Sequence, residues 1–96
     1  MKFNKKKFIY LISPLIIDKS FYHKLREILK QKKVSFFQLR LKKKSFKKKL
    51  QIGRRIKKIC KEFNVKFLIN DDVYLTKILN ADGCHLGQKD MKIAEA

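Results

Sequence analysis

Val65-Lys66-Phe67-Leu68-Ile69-Asn70-Asp71-Asp72 is an apolar run of strand type that ends in an amide and two carboxylates. Two other stretches share its plan. Val34-Ser35-Phe36-Phe37-Gln38-Leu39-Arg40-Leu41-Lys42 runs from apolar residues into an amide and two cations. Cys84-His85-Leu86-Gly87-Gln88-Lys89-Asp90 runs into a lone carboxylate. Helix-like segments separate the three. Polar residues at the ends of successive strands are how a parallel α/β protein gathers one site from distant sequence. The pattern points to an enzyme that handles phosphate and a hard cation.

Working outward, residues 8–12 form a further β-rich run whose continuous apolar character suits a strand buried on both faces. Ser13-Pro14 ends it. Asp18 or Ser20 can cap a helix over residues 21–32, with Tyr22, Leu25, Ile28 and Leu29 on one face. Residues 34–39 are the second strand. Ser45 caps a longer helix over residues 46–63, in which Leu50, Ile52, Ile56, Ile59, Cys60 and Phe63 form the apolar stripe. Asn64 suits the helix C-terminus. Residues 65–69 are the third strand. Asp71 or Asp72 starts a short helix ending near Leu79. Asn80-Ala81-Asp82-Gly83 is a tight turn, and residues 84–86 are a very short fourth strand. A loop over 87–90 leads into the opening of a fourth helix. This alternation predicts right-handed βαβ units and a parallel sheet in the order 1-2-3-4, with helices on its outer face.

The 96 residues are enough for one small domain, but a closed (β/α)₈ barrel needs roughly 200 or more. Residues 91–96 read as a helix start with no polar ending, so the expectation is a reading frame or record that stops early. The formal net charge is +18, and of 26 basic residues only four are arginines. Such a balance permits a nucleic-acid face. Lysines on helical faces, with few of the planar guanidinium forks that phosphate readers favour, suit a solvated surface instead. The Lys42-Lys43-Lys44 and Lys47-Lys48-Lys49 runs are read in that way. Weak, salt-sensitive polyanion binding is then the expected consequence.

Basic residues 2–7 followed by an apolar run resemble a signal peptide. Pro14 interrupts that run, no small-residue cleavage site follows, and the run is too short to span a bilayer. A first strand is the better reading, with no membrane partner and a cytoplasmic location. Cys60 and Cys84 have no metal-ligand spacing and read as reduced, buried small residues. His85 reads as a packed core residue and His23 as an exposed helical one. No nucleophile constellation, Gly-rich phosphate loop or zinc spacing is present.

Gln38, Arg40 and Lys42 are spaced i, i+2, i+4, so an extended segment points them to one side, in phase with Phe36. An arginine fork and a lysine point charge there can grip a diphosphate. Of Asp71 and Asp72, one is expected to cap the following helix and the other to bind a hard cation. Mg²⁺ typically takes one or two carboxylates, waters and substrate phosphate oxygens. Asp90, after the next strand, is the natural second carboxylate.

Taken together, Tyr10-Leu11-Ile12-Ser13, Phe37-Gln38-Leu39-Arg40, Leu68-Ile69-Asn70-Asp71 and Ala81-Asp82-Gly83-Cys84-His85-Leu86-Gly87-Gln88-Lys89-Asp90 resemble thiamine-phosphate synthase in the correct order. The resemblance implies an α/β fold, the N-terminal half of a TIM (β/α)₈ barrel with about four βα units. It implies a transferase of thiamine biosynthesis, joining hydroxymethylpyrimidine diphosphate to thiazole phosphate with release of diphosphate. It further implies that Gln38, Leu39, Arg40, Leu41, Lys42 and Asn70 form the pyrimidine diphosphate site and that Asp71 and Asp90 hold Mg²⁺. The expected partners are these small molecules, with no specific nucleic acid.

Two departures stand out. Lys42 follows Leu41 where many members carry Glu, and Asp72 stands where Arg is common. A chain of this length would also lack the later strands and their phosphate loops, which makes activity of these residues alone doubtful and self-association of a half-barrel possible. Two other readings remain. One is the related thiazole tautomerase, against which Asp90 argues. The other is a basic, non-catalytic half-barrel that binds polyanions.

Overall fold

Short β-rich runs alternating with amphipathic segments leave the chain one economical arrangement, a sheet with its helices stacked on it. The structure, a computed structural model, describes residues 9–41 and 43–86. Its elements are β1 (Tyr10–Ile12), α1 (Lys19–Gln31), β2 (Phe36–Leu39), α2 (Phe46–Glu62), β3 (Lys66–Asn70), α3 (Val73–Leu79) and β4 (Gly83–His85). The strands are all parallel, in the order β1-β2-β3-β4. This is the expected order. The expected fourth helix, over 91–96, lies outside the described residues.

Side chains placed by the sequence set the helix ends. The Asp18 carboxylate accepts from the Phe21 N–H at 3.1 Å and starts α1 at Lys19, two residues before the expected start. Ser45 accepts from the Lys48 N–H at 3.2 Å and starts α2 as expected. Asp72 accepts from the Leu75 N–H at 2.9 Å and starts α3. Each cap satisfies a donor that has no partner within its own helix.

Asparagine ends two of the helices. Asn64 and Asn80 adopt left-handed backbone, with φ of 59° and 54°. After α2, the Asn64 N–H donates to the Lys61 carbonyl at 3.2 Å and the Val65 N–H to the Cys60 carbonyl at 2.8 Å. After α3, Asn80 donates to Lys77 at 3.1 Å and Ala81 to Thr76 at 3.0 Å. Both are Schellman endings, which turn the chain sharply back toward the sheet.

Strand alternation divides the sheet into two unlike faces. Phe37, Leu39, Phe67 and Ile69 are buried in one core with Leu25 and Leu29 of α1, Ile52, Ile56, Ile59 and Cys60 of α2, and Leu75 and Leu79 of α3. The opposite face carries Tyr10, Ile12, Phe36, Gln38, Leu68, Asn70 and His85, as the register requires. There the Tyr10 and Phe36 rings stack at 5.3 Å. Tyr10 and Ile12 remain 45% and 49% exposed. The expectation that β1 is buried on both faces is therefore corrected, because among the described residues helices cover only one side. His85 is exposed for the same reason, not packed in a core, and Cys84 is half-buried.

Asp82 closes the sheet at the entrance to β3. Its carboxylate accepts from the Phe67 N–H at 2.7 Å, while its own N–H donates to the Phe67 carbonyl at 2.8 Å. Asp82→Ala should therefore destabilise the chain by about 1–3 kcal/mol, the cost of a buried donor left unmet. Asp82→Asn, which keeps an acceptor, should cost less. Denaturant melts of the two variants check this, and equal losses would contradict it. Cys60 lies beneath the same turn. Burial first, and the Asp82 charge second, push its thiol up to about 12, so it packs as a neutral small residue.

Candidate active site

At the end of β1, Pro14 follows Ser13 and removes the next ladder donor. The Ser13 N–H still donates to the Gln38 carbonyl at 3.0 Å. The Ser13 hydroxyl then carries the pairing on. It accepts from the Arg40 N–H at 2.9 Å and lies 3.1 Å from both the Arg40 and Pro14 carbonyls. Ser13 is buried, whereas Arg40 is exposed beyond the end of β2. Gln38, one alternation earlier, is buried on the open face, and its Nε2 lies 3.4 Å from the Tyr10 hydroxyl.

At the end of β3 the two aspartates sit in different settings. Asp72 caps α3 through Oδ1, and its Oδ2 lies 3.7 Å from the Lys49 Nζ. Asp71 is the residue before that cap. It sits in left-handed backbone with φ of 56°, a region where Asp is tolerated better than most residues. Its N–H donates to the His85 carbonyl at 2.7 Å, which ties the turn to β4. The Asn70 Nδ2 donates to the Asp71 Oδ2 at 3.1 Å. The turn thus presents one exposed carboxylate beside an amide, at the end of a central strand.

Leu39, Leu41, Lys49, Ile69, Asn70, Asp71, Asp72 and Leu75 line a depression of about 210 Å³ at this end of the sheet. Its floor is apolar and its rim carries both charges. A larger depression, of about 560 Å³, lies at the opposite strand ends between Val34, Phe36, Val65 and several lysines. It has no carboxylate and no residue expected to do chemistry, so size is a poor guide to the site here.

Of the residues singled out from sequence, Leu39, Leu41, Asn70 and Asp71 meet in the smaller depression. Gln38 and Arg40 stand at the same end of the neighbouring strand but do not line it. Lys42 and Asp90 lie outside the described residues. Sequence reading missed two participants. Lys49, placed on a solvated face, is only about a quarter exposed and reaches Asp72. The Ser45 cap fixes the helical phase of α2 and could have revealed it. Ser13, read only as a strand end, could have been found from the proline that follows it.

The donor set suits a hard cation. The candidate ligands are oxygens, with no thiolate or imidazole in the depression. Among the described residues, no group of three or more His, Cys, Asp or Glu side chains forms a self-sufficient metal site. An ion held here would draw much of its coordination from water and substrate oxygens, as Mg²⁺ commonly does.

Comparison with known proteins gives a consistent result. The family model described as thiamine monophosphate synthase matches residues 9–96. A thiamine-phosphate synthase of Pelagibacter ubique is 63% identical across the whole of this chain, which covers 48% of that protein. A thiamine-phosphate synthase of Flavobacterium psychrophilum is 53% identical over 45 residues, covering 47% of this chain and 22% of that protein. Among solved structures, a thiamine phosphate pyrophosphorylase from Pyrococcus furiosus superposes with a TM-score of 0.75 at 27% identity, covering 88% of this chain and 41% of the other. The chain therefore spans about half the length of the Pelagibacter relative, and its parallel sheet is one half of a TIM-type barrel. A match over nearly all its residues, in sequence and in fold, makes this chain a member of the thiamine monophosphate synthase family.

Proposed function

We propose that these residues supply the diphosphate-binding half of a thiamine-phosphate synthase, a cytoplasmic transferase that joins hydroxymethylpyrimidine diphosphate to thiazole phosphate. The observation that carries the reading is the pairing of β2 with β3, which sets the Gln38–Arg40 end beside the Asn70–Asp71 turn. Neighbouring parallel strands lie about 4.8 Å apart, so one diphosphate can span both ends.

In this reaction the bond between the pyrimidine methylene carbon and the diphosphate oxygen breaks, and its electron pair leaves with the diphosphate. The electron-rich aminopyrimidine bears the positive charge, and the thiazole nitrogen lone pair forms the new bond. No protein nucleophile is needed. Catalysis rests on positioning and on stabilising the leaving group. Arg40 offers a bidentate fork and Lys42 a point charge to the diphosphate oxygens. Gln38 and Asn70 orient the pyrimidine diphosphate, and Leu39 and Leu41 shape the floor beneath it. Asp71 and Asp90 would hold Mg²⁺, which supplies further neutralisation of the departing charge.

The partners are these small molecules. The net charge of +18 supports only weak, salt-sensitive polyanion binding and no specific nucleic acid. Among the described residues, no helix is long and apolar enough to cross a membrane. The reading is tested by joining these residues to the remaining half of the Pelagibacter relative, supplying both substrates and following thiamine phosphate and diphosphate together. One-to-one formation that requires both substrates and Mg²⁺ supports it. Diphosphate release without the thiazole would point to a hydrolase instead.

A further inference from the structure

We propose that Ser13 is a positioning residue that holds the Arg40 backbone so that its guanidinium meets the substrate diphosphate. The inference rests on the reading of Arg40 as a diphosphate ligand. It concerns a residue with no substrate contact of its own.

The argument begins with the ladder between β1 and β2. Its last paired residues are Ile12 and Gln38. Beyond them Pro14 has no N–H to give, and the chain turns away toward α1. Arg40 would then lie on an unpaired strand end, where backbone frays most readily. The Ser13 hydroxyl prevents this from inside the fold. It accepts from the Arg40 N–H at 2.9 Å, and its one proton is shared between the Arg40 and Pro14 carbonyls, each 3.1 Å away. The Ser13 N–H meanwhile fixes the Gln38 carbonyl at 3.0 Å. One residue, 6% exposed, therefore clamps the backbone on both sides of Leu39.

The consequence is specific to Arg40. A long, exposed side chain has little to define it except the direction of its Cα–Cβ bond. Fixing that bond lowers the number of conformations lost when the fork closes on a diphosphate. A small hydroxyl suits the place. Alanine leaves the Arg40 peptide unpartnered, while threonine retains the oxygen.

A double-mutant cycle tests this, with inorganic diphosphate in excess Mg²⁺ as the probe and calorimetric titration as the readout. Ser13→Ala should weaken diphosphate binding about tenfold, and Ser13→Thr should stay within about twofold of the wild type. Arg40→Ala should weaken binding at least as much as Ser13→Ala. In the Arg40→Ala background, adding Ser13→Ala should change affinity little, because a residue acting through Arg40 has nothing left to position. Should Ser13→Ala fail to fold, Ser13→Cys replaces it in the cycle, since a thiol of similar size is a weaker hydrogen-bonding group.

A Ser13 effect that persists undiminished without Arg40 would show a general structural role and overturn the inference. So would an unchanged affinity in a folded Ser13→Ala chain whose Arg40→Ala counterpart loses binding. Unchanged affinity on Arg40→Ala, or no affinity in the wild type, would instead overturn the reading of the site on which the inference depends.

Discussion

In a chain completed by the remaining half of the barrel, Asp71→Asn should lower turnover by about 10²-fold or more and weaken the dependence on Mg²⁺, while the fold is kept. The substitution removes the charge proposed to serve the metal while keeping the size of the side chain. Asn tolerates left-handed backbone as well as Asp does, so the φ of 56° at this position survives the change. The Asp71 N–H still reaches the His85 carbonyl, and the α3 cap belongs to Asp72. Asp90→Asn should have a comparable effect on turnover and on the metal requirement.

Asp72→Asn is the internal control. Asn caps helices about as well as Asp. The pair with Lys49 is partly exposed, so its loss should cost less than about 1 kcal/mol. Turnover of Asp72→Asn should fall only a few-fold. Steady-state assays across a Mg²⁺ titration decide the matter. Equal damage from Asp72→Asn and Asp71→Asn would show that the first metal carboxylate has been assigned to the wrong residue.

The second large effect concerns the half of the barrel that these residues do not form. The 96 residues alone should make no detectable thiamine phosphate. The same residues joined to the remaining half of the Pelagibacter relative, 63% identical over the shared part, should turn over at rates typical of enzymes. The reason is the open face of the sheet. Tyr10 and Ile12 are about half exposed there, where a closed barrel packs its interior. β1 and β4 each pair on one side only among the described residues, which leaves two unprotected edges. Alone, the residues should therefore also associate as concentration rises, more so in high salt, which screens the repulsion of a net charge of +18. Sedimentation velocity alongside the assay checks both. Robust turnover by a monodisperse monomer would contradict them together.

Much of this architecture is legible in the sequence because local signals agree with one another. Ser45 announces the start of α2, Asn64 its end, and the stripe through Ile52, Ile56 and Ile59 the face that packs. The strand runs are short, yet their spacing admits one parallel order. What stays hidden depends on partners far along the chain. β1 reads as a strand buried on both faces because composition reports apolarity and not what covers it. Which of Asp71 and Asp72 caps the helix is invisible in adjacent letters and emerges only when the start of α3 is fixed. Lys49 looks like one lysine among many until α2 brings it to Asp72. Ser13 and Arg40 stand 27 positions apart, so their hydrogen bonds leave no local mark.

The most direct measurement of the central claim is a residue-resolved NMR titration of the ¹⁵N-labelled chain with magnesium diphosphate. Signals of Gln38, Arg40, Asn70 and Asp71 should shift together and saturate with one affinity, because their strand ends share one ligand. Saturating shifts confined to the lysine-rich opposite end, around Lys32, Lys33 and Lys66, would place the diphosphate elsewhere and contradict the account.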